Sequence, residues 1–138
     1  MQLNQSELEI ACDGLLSDLG GVLTWRWDDR FGALLSEFQV EKQAEVRLAL
    51  DSHFVQRWDR KSIPHAPVAI KNGAGDFLDL RDGQLLFTSA PPAGGSLLLA
   101  AWWPWSDAKA ISVRITSSAN GKPPHSSWIS GKLAELFR

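Results

Sequence analysis

Apolar residues recur with a helical period along the first part of the chain. Leu8, Ala11, Cys12, Leu15, Leu16 and Leu19 fall three and four apart, which places them on one face of a helix. Ser6 and Glu9 precede and enter this pattern in the S-x-x-E order of a capping box, and Gly20-Gly21 follows as a stop. The spacing predicts a helix over 7–19. The period then changes to two. Leu23, Trp25 and Trp27 alternate with Thr24 and Arg26, so 22–27 reads as a half-buried strand. Asp28-Asp29-Arg30-Phe31-Gly32 reads as a turn of solvated residues, and 33–38 as the returning strand.

Residues 40–59 satisfy two patterns at once. Val46, Leu50, Phe54 and Trp58 are spaced by four, a continuous helical face, and the intervening residues are good helix formers. Val46-Arg47-Leu48-Ala49-Leu50-Asp51 also alternates as a strand would. No Gly, Asn, Asp or Pro lies between Phe38 and Val46 to turn a hairpin, so a helix is expected, ended by Pro64 and Pro67. From Val68 onward the pattern is read as sheet. Short strands are expected at 68–71, 77–80 and 84–88, with a turn at Asn72-Gly73, a hairpin of the last two through Asp82-Gly83 and a loop at Pro91-Pro92-Ala93-Gly94-Gly95.

The most apolar run is Leu97-Leu98-Leu99-Ala100-Ala101-Trp102-Trp103-Pro104-Trp105. It is far shorter than the roughly 20 apolar residues of a membrane-spanning helix. Bounded by turn residues, it reads as a strand over 96–103 buried on both faces, ending near Pro104, which has no N–H for the ladder. Trp102 and Trp103 then point to opposite faces. Ser106 to Lys109 turn the chain, and Ile111, Val113 and Ile115 alternate inward on the next strand. A polar Gly/Pro-rich connection over 118–124 leads to an amphipathic helix over about 126–137, with Ile129, Leu133, Leu136 and Phe137 on one stripe.

These elements amount to one α+β domain spanning 1–138, an antiparallel β-meander of about five to seven strands packed by N-terminal, middle and C-terminal helices. At 138 residues the chain can bury a core without staples. Its net charge of −2, with both signs dispersed, provides no basic face for nucleic acid and no basic amphipathic stretch for a membrane surface. A single cysteine and an N-terminus without the basic-then-apolar order of a signal peptide point to the cytoplasm.

Candidate chemistry is sparse. His53, His65 and His125 are scattered and stand in no metal-ligand spacing, so no metal and no cofactor is expected. Gly73-Ala74-Gly75 and Gly94-Gly95 lack the flanking pattern of phosphate-binding loops. Cys12 lies on the apolar helix face and reads as a small buried hydrophobe. The chain has seven tryptophans and no tyrosine, and this aromatic content is its one feature with binding potential. Most of these rings are expected to complete the core. Trp103 and Trp105, with Trp102 beside them, form the candidate binding surface, and Trp105 after Pro104 is expected to be the exposed one.

The expected function is a non-catalytic protein-interaction module: a small cytosolic adaptor, an immunity-type protein or a secretion-chaperone-like protein, acting on a protein partner or as a homodimer. Small bacterial secretion chaperones are similar in length, charge and layout, an analogy that no motif carries. The alternative is a small-ligand-binding domain, possibly an enzyme, with a Trp-lined pocket between sheet and helices to which His53 is a further candidate.

Overall fold

A computed structural model describes residues 3–89 and 97–118. The elements, in chain order, are α1 (Gln5–Ala11), α2 (Asp13–Asp18), β1 (Arg26–Asp28), β2 (Ala33–Gln39), α3 (Gln43–His53), β3 (Gln56–Trp58), α4 (Val68–Ala74), β4 (Leu85–Thr88), β5 (Leu97–Pro104) and β6 (Ala110–Ser118). Short 3-10 turns at Val40–Lys42, Ile63–His65 and Gly75–Leu78 join them. The fold is α+β. One antiparallel sheet of six strands has the order β1-β2-β6-β5-β4-β3. Strands β3 to β6 form a meander, and the β1–β2 hairpin docks against the outer side of β6. The chain passes from β2 to the opposite edge of the sheet through α3.

The apolar run is β5, paired along its length with β6 and on its other side with β4. Its alternation feeds two cores. Ala100 and Trp102 join Phe38, Phe87, Ile111, Val113 and Ile115 under α1, α2 and α3, whose Leu8, Cys12, Leu15, Leu19, Val46, Leu50 and Phe54 close that side. Leu97, Leu99, Ala101 and Trp103 face the other way, against Ile63, Ala66, Ile70, Ala74, Phe77 and Leu80 from α4 and its flanking turns. A strand with apolar residues in every position is stable only when both faces are covered, and here both are. The expected inward row Ile111, Val113, Ile115 is present, but Ser112, Arg114 and Thr116 on the alternate row are buried as well.

Several expected boundaries move. The first helix is two pieces, broken where Cys12 leaves helical geometry. Its cap is Asn4, not Ser6: the Glu7 N–H donates to Asn4 Oδ1 at 2.9 Å and the Asn4 N–H to Glu7 Oε1 at 3.0 Å. The strand expected over 22–27 shrinks to Arg26–Asp28, because the N–H groups of Val22 and Leu23 bond back to the Leu19 carbonyl and extend the helix end. The middle helix ends at His53. Val46, Leu50 and Phe54 keep their common buried face, while Trp58 lies on β3 with its Nε1–H donated to Thr88 Oγ1 at 3.0 Å.

The largest correction is at 68–80. The strand expected over 68–71 and the turn at Asn72-Gly73 are together the helix α4. Ile70, Gly73 and Ala74 are its buried stripe, at spacings of three and four. Gly73 serves close packing: a Cβ there would lie 2.5 Å from Leu97 Cδ2 of β5. Gly75, at φ 56°, takes the chain out of the helix. The strand expected over 77–80 is a 3-10 turn running into a loop, with Phe77 and Leu80 buried three apart. Asp82-Gly83 is a turn, with Gly83 at φ 85°, but it leads from this loop into β4 and joins no hairpin. The expected loop at 91–95 and the C-terminal helix at 126–137 lie outside the described residues.

Candidate functional site

The β5–β6 hairpin end gathers the three candidate tryptophans but does not place them on one surface. Trp102 and Trp103 are buried, at 1% and 2% exposure, on opposite faces of the sheet. An open platform of Trp103 and Trp105 therefore does not form. Phe38 and Phe87 surround Trp102 with ring centroids 5.7 and 6.4 Å away. Phe31 stands edge-on to Trp103 at 5.9 Å and Phe77 stacks on it at 5.7 Å. Trp105 alone of the three is open, at 39% exposure.

Trp105 is nonetheless fixed. Its backbone N–H donates to the Ala110 carbonyl at 2.9 Å, and its Nε1–H donates to Ser112 Oγ at 2.9 Å. The turn that carries it closes with the Ala108 N–H on the Trp105 carbonyl and the Lys109 N–H on Asp107 Oδ1. Ala108 sits at φ 60°, a left-handed conformation that costs a residue with a Cβ of the order of 1 kcal/mol.

On the other side of this hairpin end runs a trough. A depression of about 240 Å³ lies between α3 and the hairpin, bordered by Val40, Gln43, Arg47, Trp102, Pro104 and Ile111 among others. It shares Gln43 and Arg47 with a wider, open depression of about 540 Å³ along α3, which adds Ala44, Leu48 and Asp51. Arg47 thus stands where the two meet. Its guanidinium carbon lies 5.0 Å from the centre of the Trp102 ring. Its Nε is buried with no acceptor, and none of the described ion pairs includes it. Leu48, next to it, is exposed. No spacing rule links Arg47 to Trp102 in the sequence, so neither Arg47 nor the trough was signalled there.

A second arginine holds the opposite face. Arg114, 2% exposed, lies 5.0 Å from the centre of the Phe31 ring and 4.9 Å from that of Trp103. Its Nε–H donates to Asp28 Oδ2 at 3.1 Å. Asp28 also receives the Arg30 backbone N–H at 3.0 Å and the Arg30 Nε–H at 3.4 Å. Burial pushes the Asp28 carboxyl up, but the hydrogen bonds and charges of Arg114 and Arg30 outweigh it and hold the group below its usual range. Burial lowers the Arg114 pKa, and Asp28 opposes that shift. Asp28 is thus a buried counter-ion, where a solvated turn residue was expected, while Asp29 is exposed as expected.

The nearest approach to nucleophilic chemistry is a cleft of about 80 Å³ bordered by Cys12, Gly14, Leu15, His53, Phe54, Ser89 and Leu98 among others. His53 pairs with Asp18, Nε2 to Oδ2 at 2.6 Å, and not with its helix neighbour Asp51, which binds Arg57 at 2.9 Å. Burial pushes the Cys12 thiol up to about 11. A nucleophilic cysteine needs the opposite shift, so this thiol is held in its unreactive form. No tryptophan borders this cleft among the described residues.

Among the described residues no group of three or more His, Cys, Asp and Glu side chains is placed to hold a metal ion, and no helix is long and apolar enough to cross a membrane. No protein-family model, curated protein or solved structure matches the chain.

Proposed function

We propose that this chain is a non-catalytic protein-interaction module whose contact face is the β5–β6 hairpin end, with Trp105 on one side and the Arg47 trough on the other. The observation that carries the reading is the state of Trp105. A large ring tied by its Nε1–H to Ser112, on a backbone pinned to Ala110, yet partly open to solvent has already lost much of its freedom, so a partner that covers it gains area at low entropic cost. The exposed Leu48 adds apolar area beside the trough. The partner is a second protein or a second copy of this chain, in a cytoplasmic setting, a location that the lone Cys12 supports.

The second reading is a small-ligand domain. The hollow of about 240 Å³ with Trp102 and Arg47 in its wall favours it, although that volume falls below the roughly 300–1,000 Å³ of ordinary ligand pockets. Two measurements on wild type and Trp105→Ala separate the readings: solution mass by light scattering, and capture of a random displayed-peptide library. A dimer that Trp105→Ala dissociates, or peptides that wild type takes and Trp105→Ala loses, supports the interaction module. A monomer that takes no peptide shifts the assignment to a small ligand.

A further inference from the structure

We propose that the trough beside α3 receives an acidic segment of a partner protein, with Arg47 binding a carboxylate while apolar partner side chains lie along Leu48, Ala44 and Pro104. This rests on the interaction-module reading and names the chemistry of the partner. The argument starts from the contrast between the two stacked arginines. Arg114 lies against Trp103 and is answered by Asp28 at 3.1 Å. Arg47 lies against Trp102 in the same way, but the described chain supplies it no carboxylate. Asp51, the acid that borders the trough, is already paired with Arg57 at 2.9 Å.

Packing against the ring fixes the Arg47 side chain in place, so a partner need not spend entropy to order it. One guanidinium and the Gln43 amide match one carboxylate, whereas a phosphate ester would bring a second charge that no second cation among the described lining residues meets. The remaining lining is mostly apolar, and the trough is open and elongated along α3. Those features fit a chain segment with apolar residues on either side of an acid better than an isolated small acid.

The test is fluorescence anisotropy with a set of short labelled peptides. Each carries one central glutamate between leucine, isoleucine, phenylalanine or alanine neighbours, and each has a glutamine counterpart. Wild type, Arg47→Met and Arg47→Lys are compared, with free N-acetylglutamate as the small-carboxylate probe. Arg47→Met keeps the stem on Trp102 and removes the charge, and thermal melting reports whether each variant is folded. Wild type should bind glutamate peptides at least about tenfold more tightly than their glutamine counterparts, and Arg47→Met should erase that difference. Binding should weaken as salt is raised. If Arg47→Met fails to fold, the glutamate–glutamine comparison on wild type still decides. Equal binding of the two peptide series, or an Arg47→Met that retains the preference, overturns the acidic anchor and leaves the interaction module standing. Failure of wild type to bind any member of the set overturns the proposal. Binding of N-acetylglutamate as tight as that of the peptides overturns it in favour of a small-ligand site, and takes the interaction reading with it.

Discussion

Trp102 and Trp103 are adjacent in the chain, and each has an arginine guanidinium laid across its ring on opposite faces of the sheet. Arg47 lies 5.0 Å from the Trp102 ring centre and Arg114 lies 4.9 Å from that of Trp103. A strand sends neighbouring side chains to opposite faces, so the pairing follows from the pleat. The two sites differ in charge. The Arg114 site is sealed and neutralised by Asp28, while the Arg47 site is half-open and lacks an anion from the described chain. One belongs to the core and the other to the surface proposed for a partner.

The sealed pair has a measurable cost when broken. Asp28→Asn leaves the buried Arg114 charge uncompensated and should cost about 3–5 kcal/mol in denaturant unfolding. Replacing both partners, with Asp28→Leu and Arg114→Met, should recover much of that loss. The pH dependence has a definite sign. The folded Asp28 carboxyl lies below its ordinary value of 3.8, so its contribution is fully present above that pH and is lost as pH falls through the lower folded value. Asp28→Asn should flatten the acid limb of the stability profile.

The tryptophans should separate into core and surface by stability. Trp103→Ala removes a fully buried ring and should cost about 3–5 kcal/mol. Trp105→Ala removes a part-exposed ring and its bond to Ser112 and should cost about 1 kcal/mol. Thermal or urea unfolding of the two variants checks this. Comparable large losses at both positions would make Trp105 a packing residue and remove the support it lends to a contact face.

Gly73→Ala should destabilise by about 1–3 kcal/mol, since its Cβ would meet Leu97 Cδ2 at 2.5 Å and Cβ at 3.3 Å, so that the Leu97 side chain must leave its place in the core or α4 must lift from β5. Leu97→Val shortens the obstructing side chain. The double variant should therefore lose less than the sum of the singles, which a double-mutant cycle in urea would read directly.

The cysteine should be quiet. With its pKa pushed up to about 11, Cys12 in the folded protein should react with iodoacetamide at pH 8 far more slowly than in urea. His53→Ala should leave that slow rate unchanged, because the imidazole is engaged with Asp18. Rapid native alkylation that depends on His53 would reopen a catalytic role for this cleft.

What could be read from the sequence depended on how local the cause was. The α+β class, the doubly buried β5 and the Val46–Leu50–Phe54 face follow from periodicity within a few residues, and they are present. The helix α4 is not legible locally, because Val68-Ala69-Ile70-Lys71 is short with two β-branched residues and Asn72-Gly73 has the composition of a turn. Gly73 instead packs α4 closely against Leu97 of β5. Asp28 was misread for a similar reason, since its counter-ion Arg114 is 86 positions on. The exposure of Trp105 was legible from its place after Pro104. The burial of Trp103 was not, because it depends on Phe31 and Phe77 arriving from other parts of the chain. Arg47 gave no local signal, since its meaning comes from lying on Trp102.

The interaction reading is tested most directly by displayed-peptide capture on wild type and Trp105→Ala side by side, with both shown to be folded by their melting curves. The account predicts a recurring set of peptides on wild type that Trp105→Ala loses or holds much more weakly. A folded wild type that selects no recurring peptide would contradict it, and the same set held with equal strength when Trp105 is absent would contradict the part assigned to Trp105.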